Sequence, residues 1–181
     1  MAIDLLNLQR TCSFDRDRLI RHAAWTLEAH RRGGDTLSLV LVNDKRIRLL
    51  NRTYRGKSAT TDVLSFEGAP TPPGEGSRFL GEIVISLPRA FRQAREAGIS
   101  PDDELTNLAI HGICHLLGYD HEKGDREQRL MKKAEEKAAR EIRNREEGPE
   151  TLRNVTGKIP EEVSEKTMPA ENTQRKRRKT V

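Results

Sequence analysis

Aromatic side chains are scarce in this chain: one Trp, two Tyr and four Phe make up 4% of its 181 residues, so its core must be aliphatic. Cysteine is scarcer still. Cys12 and Cys114 stand alone, too few for a disulfide scaffold. Met1-Ala2-Ile3-Asp4-Leu5 lacks the basic-then-apolar pattern of an export signal, so both thiols are expected to be reduced. Long apolar runs are missing too. The longest span a few residues, such as Leu39 to Val42, against about 20 for a membrane-crossing helix. A soluble protein with no membrane partner is expected.

Charge, by contrast, is abundant: 34% of residues are charged, as many as are hydrophobic. A prior of about 150 residues per domain fits one domain, taken as residues 1–146. From residue 147 the composition turns to scattered Glu, Lys and Pro and closes on Arg175-Lys176-Arg177-Arg178-Lys179. Residues 147–181 are expected to be a disordered basic tail. The net charge is +5, of which residues 148–181 supply +3 from eight basic and five acidic residues, leaving +2 for the body. Within that near-balanced body, Lys45, Arg46, Arg48, Arg52, Arg55 and Lys57 fall in thirteen residues that contain no acid. Such a cluster either binds phosphates or forms a solvated helix face.

Patterning predicts strands over Ile3 to Leu8, Leu37 to Val42, Asp62 to Phe66 and Leu80 to Ser86. Ser13 precedes an amphipathic helix carrying Leu19, Ile20, Ala23, Ala24 and Leu27, closed by Gly33-Gly34. Asn43 can cap a second helix with Ile47, Leu50 and Tyr54 on its buried side. Gly68 to Gly76, rich in Pro and Gly, reads as a mobile loop. Pro88 to Ala97 is a third helix, and Ser100-Pro101-Asp102-Asp103 starts a fourth that runs to about Leu117. Apolar residues cover more than half of that fourth helix, so it belongs at the centre of the fold. A last helix after Gly124 presents Leu130, Ala134, Ala138 and Ile142 on one side.

The chemistry is concentrated in His111-Gly112-Ile113-Cys114-His115-Leu116-Leu117-Gly118-Tyr119-Asp120-His121. On a helix His111 and His115 are one turn and about 40° apart, so both rings can reach one point. Gly118 can adopt the left-handed conformation that ends a helix, which lets His121 return toward the same point. Three of the five histidines at such offsets arise by chance about once in a thousand. Three neutral imidazoles with an open fourth position suit zinc and hydrolytic chemistry, although nickel, copper or iron would bind the same set. In zinc proteases of the H-E-x-x-H-x-x-G-x-x-H pattern a Glu serves as general base, and here Gly112 replaces it, which argues against peptide hydrolysis. Cys114 is either a further soft ligand or a small core residue, and Asp120 either orients an imidazole or shapes the turn. Glu104 and Asn107 lie on the histidine side of the helix, whereas His22 and His30 read as ordinary.

The complete H-G-x-x-H-L-x-G-Y-D-H motif, together with Tyr54-Arg55, Thr61 to Phe66 and Leu80-Gly81-Glu82-Ile83, resembles the YbeY family of metal-dependent endoribonucleases over about residues 3 to 146. Thr60, Glu67, Glu82 and Cys114 depart from the family's usual Pro, Pro, Asp and Leu. The resemblance implies an α+β fold with a small mixed central sheet of about four strands packed with helices. A buried central helix would carry the ligand histidines. It also implies cytoplasmic cleavage of single-stranded RNA, maturation of the small-subunit rRNA 3′ end and ribosome quality control, with the small ribosomal subunit and its assembly factors as partners. On this reading His111, His115 and His121 hold one zinc ion. Arg55 is the catalytic guanidinium, or else a substrate anchor or salt-bridge partner. Lys45, Arg46, Arg48, Arg52 and Lys57 bind substrate. The nucleophile is either metal-bound water or the substrate 2′-hydroxyl. Two rivals stand beside it, a zinc hydrolase of another substrate class and a non-catalytic RNA-binding module stapled by a metal.

Overall fold

A computed structural model describes residues 3–70 and 77–148. The expected tail, from residue 149 on, and most of the expected Gly68–Gly76 loop lie outside these residues. The chain runs β1 (Ile3–Asn7), α1 (Arg16–Ala29), β2 (Thr36–Val42), α2 (Asp44–Arg55), β3 (Val63–Glu67), β4 (Phe79–Ser86), α3 (Leu87–Ala97), α4 (Pro101–Leu116), a 3-10 turn (His121–Lys123) and α5 (Asp125–Glu147). The four strands form one mixed sheet in the order β1-β2-β4-β3, with β1, β2 and β4 parallel and β3 antiparallel on β4. The fold is α+β, as expected.

Alternation along the strands divides two cores. Leu39, Leu41, Ile83 and Ile85 face one way, against Leu19 and Leu27 of α1 and Leu105, Ala109 and Ile113 of α4. Val40, Val42, Leu64 and Val84 face the other, against Ile47 of α2. Helix α4 therefore lies in the middle, between the sheet and an outer helix, and touches α1, α3, α5, β3 and β4. Outer helix α5 closes over it through Met131, Ala134, Ala138 and Ile142, which meet Trp25, Ile110 and Cys114.

The local signals set most of the boundaries. Asn43 caps α2 by accepting the Arg46 N–H at 2.9 Å, and Ser100 caps α4 by accepting the Asp103 N–H at 3.0 Å. Three expectations need correction. The cap of α1 is Asp15, whose carboxylate accepts the Arg18 N–H, not Ser13. Leu130 is exposed and Met131 takes its place in the core, because α5 is rotated so that its apolar stripe runs 131, 134, 138, 142. Tyr54 is not on the buried side of α2: it is 66% exposed, and its ring meets Phe66 edge to face at 5.1 Å.

Candidate metal centre

Helix α4 carries the first two imidazoles outward at its C-terminal half, where His111 and His115 are half-buried. Gly118, at φ +92°, turns the chain back in a conformation that a side chain would oppose. Asp120 then starts the 3-10 turn by accepting the Glu122 N–H at 3.0 Å and pairs with Lys123 at 3.4 Å. That is the turn-forming role of the two open to it. His121 arrives beside the other two rings, and the nearest ring nitrogens of all three lie within 4.8 Å of one another.

The donor set fits one cation. Nε2 of His111 and Nε2 of His115 are 3.2 Å apart. Two nitrogens bonded at 2.0–2.1 Å in a tetrahedron stand about 3.3 Å apart. Nδ1 of His111 lies 2.8 Å from Oε1 of Glu135, and a carboxylate only accepts, so Nδ1 bears the proton and Nε2 offers its lone pair. Burial holds the His115 imidazole below its ordinary pKa, the neighbouring His111 and His121 adding to the effect and Asp120 opposing it. The ring is thus neutral at pH 7 and free to ligate.

Two neighbours of the triad are spoken for by packing. Cys114 is fully buried beside Trp25, Ile110 and Met131. Burial, and behind it the Glu135 charge, push its thiol up to about 12, so it serves as a core residue. Gly112 sits against the sheet: a Cβ there would lie 2.7 Å from Cγ2 of Ile83. The close approach of α4 to β4 means that any side chain at 112 would have to displace the buried Ile83. Glu82, one residue from Ile83, faces the opposite side of the sheet and has no part in the centre.

Arg55, the last residue of α2, and Lys57, just after it, line the same cavity as the triad. With Thr60, Thr61 and Asp62 they wall a cavity of about 320 Å³ that also contains His111, His115 and His121. Nη2 of Arg55 lies 3.5 Å from Oε1 of Glu122. The connection to β3 is held by Asn51, whose buried side chain donates to the Ala59 carbonyl at 2.8 Å, and by Thr60, whose hydroxyl accepts from Arg48 Nε at 3.1 Å. Asp62 accepts from Gln93 at 2.8 Å and from the Val63 N–H at 2.9 Å. Lys45, Arg46, Arg48 and Arg52 line a separate depression with Leu8 and Leu49, and of the four Arg48 also touches the triad cavity's wall, through Thr60. Glu104 and Asn107 contact each other at 3.4 Å, and His22 is buried against Thr106 and Glu146. Sequence reasoning missed Glu135, Asn51 and Glu122.

The family model described as Endoribonuclease YbeY matches residues 5–143. The chain belongs to the YbeY family. A YbeY endoribonuclease of Pelotomaculum thermopropionicum is 46% identical over 143 residues, covering 75% of this chain and 93% of the relative. One from Aquifex aeolicus is 45% identical over 123 residues, covering 66% of this chain and 79% of the relative. The solution structure of TM1509 from Thermotoga maritima superposes with a TM-score of 0.53 at 27% identity, covering 90% of this chain and all of that one.

Proposed function

We propose that the chain is a metal-dependent endoribonuclease that cuts single-stranded RNA in the cytoplasm. Its place is the maturation of the small-subunit rRNA 3′ end and ribosome quality control, and its partners are the small ribosomal subunit and assembly factors. Residues 1–146 form the catalytic domain. The observation that carries the reading is one cavity in which three converging imidazoles meet Arg55 and Lys57, in a chain whose relatives are named endoribonucleases. Among the described residues no helix is long and apolar enough to cross a membrane.

His111, His115 and His121 would hold one divalent ion, and three nitrogen donors favour zinc. When bound, such an ion supplies a Lewis acid for a phosphoryl oxygen and acidifies water. Glu135 keeps the proton on Nδ1 of His111 and so keeps Nε2 available. Arg55 presents a fork of N–H donors to the phosphoryl oxygens, where negative charge grows as the bond breaks. Its contact with Glu122, 3.5 Å away and half-exposed on both sides, is loose enough for a phosphate to replace. Lys57 adds charge at the same wall. Cys114 is buried with its thiol held protonated in the core, and the group that could hold an ion among the described residues consists of three histidines, which supports a catalytic over a stapling role.

Metal analysis of the purified protein, paired with cleavage of a labelled single-stranded RNA with and without chelator, tests the reading. His115→Ala should lose metal and cleavage together. Arg55→Ala should keep its metal and lose about 100-fold or more in cleavage rate. Chelator-resistant cleavage, or a metal-replete Arg55→Ala variant with full activity, would overturn it.

A further inference from the structure

Seven aromatic residues serve the entire chain, yet Tyr54, Phe66 and Tyr119, including both tyrosines, line a single pocket. The pocket, about 390 Å³, adjoins the metal centre and shares Arg55 and His115 with its cavity. Tyr54 is the neighbour of Arg55 at the end of α2 and is two-thirds exposed. Phe66 buttresses it edge to face, with ring centroids 5.1 Å apart. A propped, solvent-facing ring is a poor use of a scarce hydrophobe unless something flat covers it. Phe66 supports the ring from β3, and Tyr119, just beyond the turn at Gly118, also lines the pocket while its ring packs near His30 and the Trp25 cluster.

Resting on the endoribonuclease reading above, we propose that this pocket is a nucleobase subsite. It takes the base of a nucleotide flanking the scissile phosphate, with Tyr54 as the stacking platform. The ligand class follows from continuity: a chain whose phosphate lies against Arg55 and the histidines carries its next base within reach of the ring beside Arg55. Every base has a π-face, so stacking holds a strand whatever its sequence. A base within a duplex has both faces stacked and its edge paired, so it cannot enter. The subsite therefore gives a physical cause for single-strand selectivity that the imidazole triad alone lacks.

The test measures anisotropy-detected binding and, separately, cleavage of one labelled RNA oligonucleotide and of versions with an abasic site on either side of the cleaved bond. Wild type, Tyr54→Ala and Tyr54→Phe are compared with their metal content verified as equal. Tyr54→Ala should weaken binding of the intact oligonucleotide about tenfold, within the range of lost base stacking, and Tyr54→Phe should restore it. One abasic position should weaken wild-type binding by a similar factor and leave Tyr54→Ala binding unchanged, because base and ring are lost from the same contact. Equal abasic penalties in wild type and Tyr54→Ala overturn the subsite while leaving the nuclease intact. Coupled penalties in binding with no chelator-sensitive cleavage support the subsite and overturn the nuclease reading instead.

Discussion

An imidazole can ligate a cation only through a nitrogen that keeps its lone pair, and the proton on the other nitrogen decides which one that is. At His111 the decision belongs to Glu135, 2.8 Å away. Glu135→Ala should lower metal affinity about 10- to 100-fold without unfolding the chain, measurable by competition with a chromogenic chelator. Unchanged affinity would make the contact incidental. The triad itself is legible in the sequence, because an offset of four on a helix and a glycine that reverses the chain are local facts. Glu135 is not legible. It lies 24 residues beyond His111, on a helix crowded with Glu and Lys, and nothing near it in sequence sets it apart. Tyr54 misleads for a related reason: it shares a helix face with Ile47 and Leu50, but at the last turn of α2 its ring meets Phe66 edge to face and stays mostly exposed.

The secondary-structure elements show the same division between local and distant causes. Caps at Asn43 and Ser100 are readable because donor and acceptor are three residues apart. The choice of Asp15 over Ser13 is not, since the Asp15 N–H is also held by Asp102 of α4 at 2.9 Å. In α5, apolar residues at 130 and 131 both fit a helical stripe, and only packing against Trp25 and Ile110 selects the second. Met131→Ala should therefore cost about 2–5 kcal/mol, whereas Leu130→Ala should stay within about 0.5 kcal/mol, both read from urea unfolding. Similar losses at both sites would contradict the observed rotation of the helix.

Across the assembled domain, the insertion of β4 between β2 and β3 could not be read from the sequence, because strand order depends on pairings between distant segments. The same assembly buries His22 between α1, α4 and α5, with Nδ1 2.9 Å from Thr106 Oγ1 and Nε2 3.0 Å from Glu146 Oε1. Burial lowers its pKa from 6.5 even though the Glu146 charge opposes the shift. On acidification the unfolded chain takes up this proton first, so the stability tied to a neutral His22 is complete above about pH 6.5 and is lost as pH falls below it. With chelator present throughout, His22→Gln should flatten the decline in stability between about pH 6.5 and 5. An identical slope would place its cause elsewhere, His30 being another ring lowered by burial.

Charge acts over the same distances. If Lys45, Arg46, Arg48 and Arg52 each meet a phosphate of the bound strand, replacing all four with Ala should reduce the slope of log affinity against log salt by about 3. An unaltered slope would assign them to a solvated helix face.

Gly118 sends the chain back to deliver the third imidazole, and α5 then supplies the carboxylate that aligns the first. Translation proceeds from the N-terminus, so a growing polypeptide that has reached only residue 120 owns two of the three rings and none of the alignment. A cutting tool laid out in this order stays blunt until nearly all of its domain has been made.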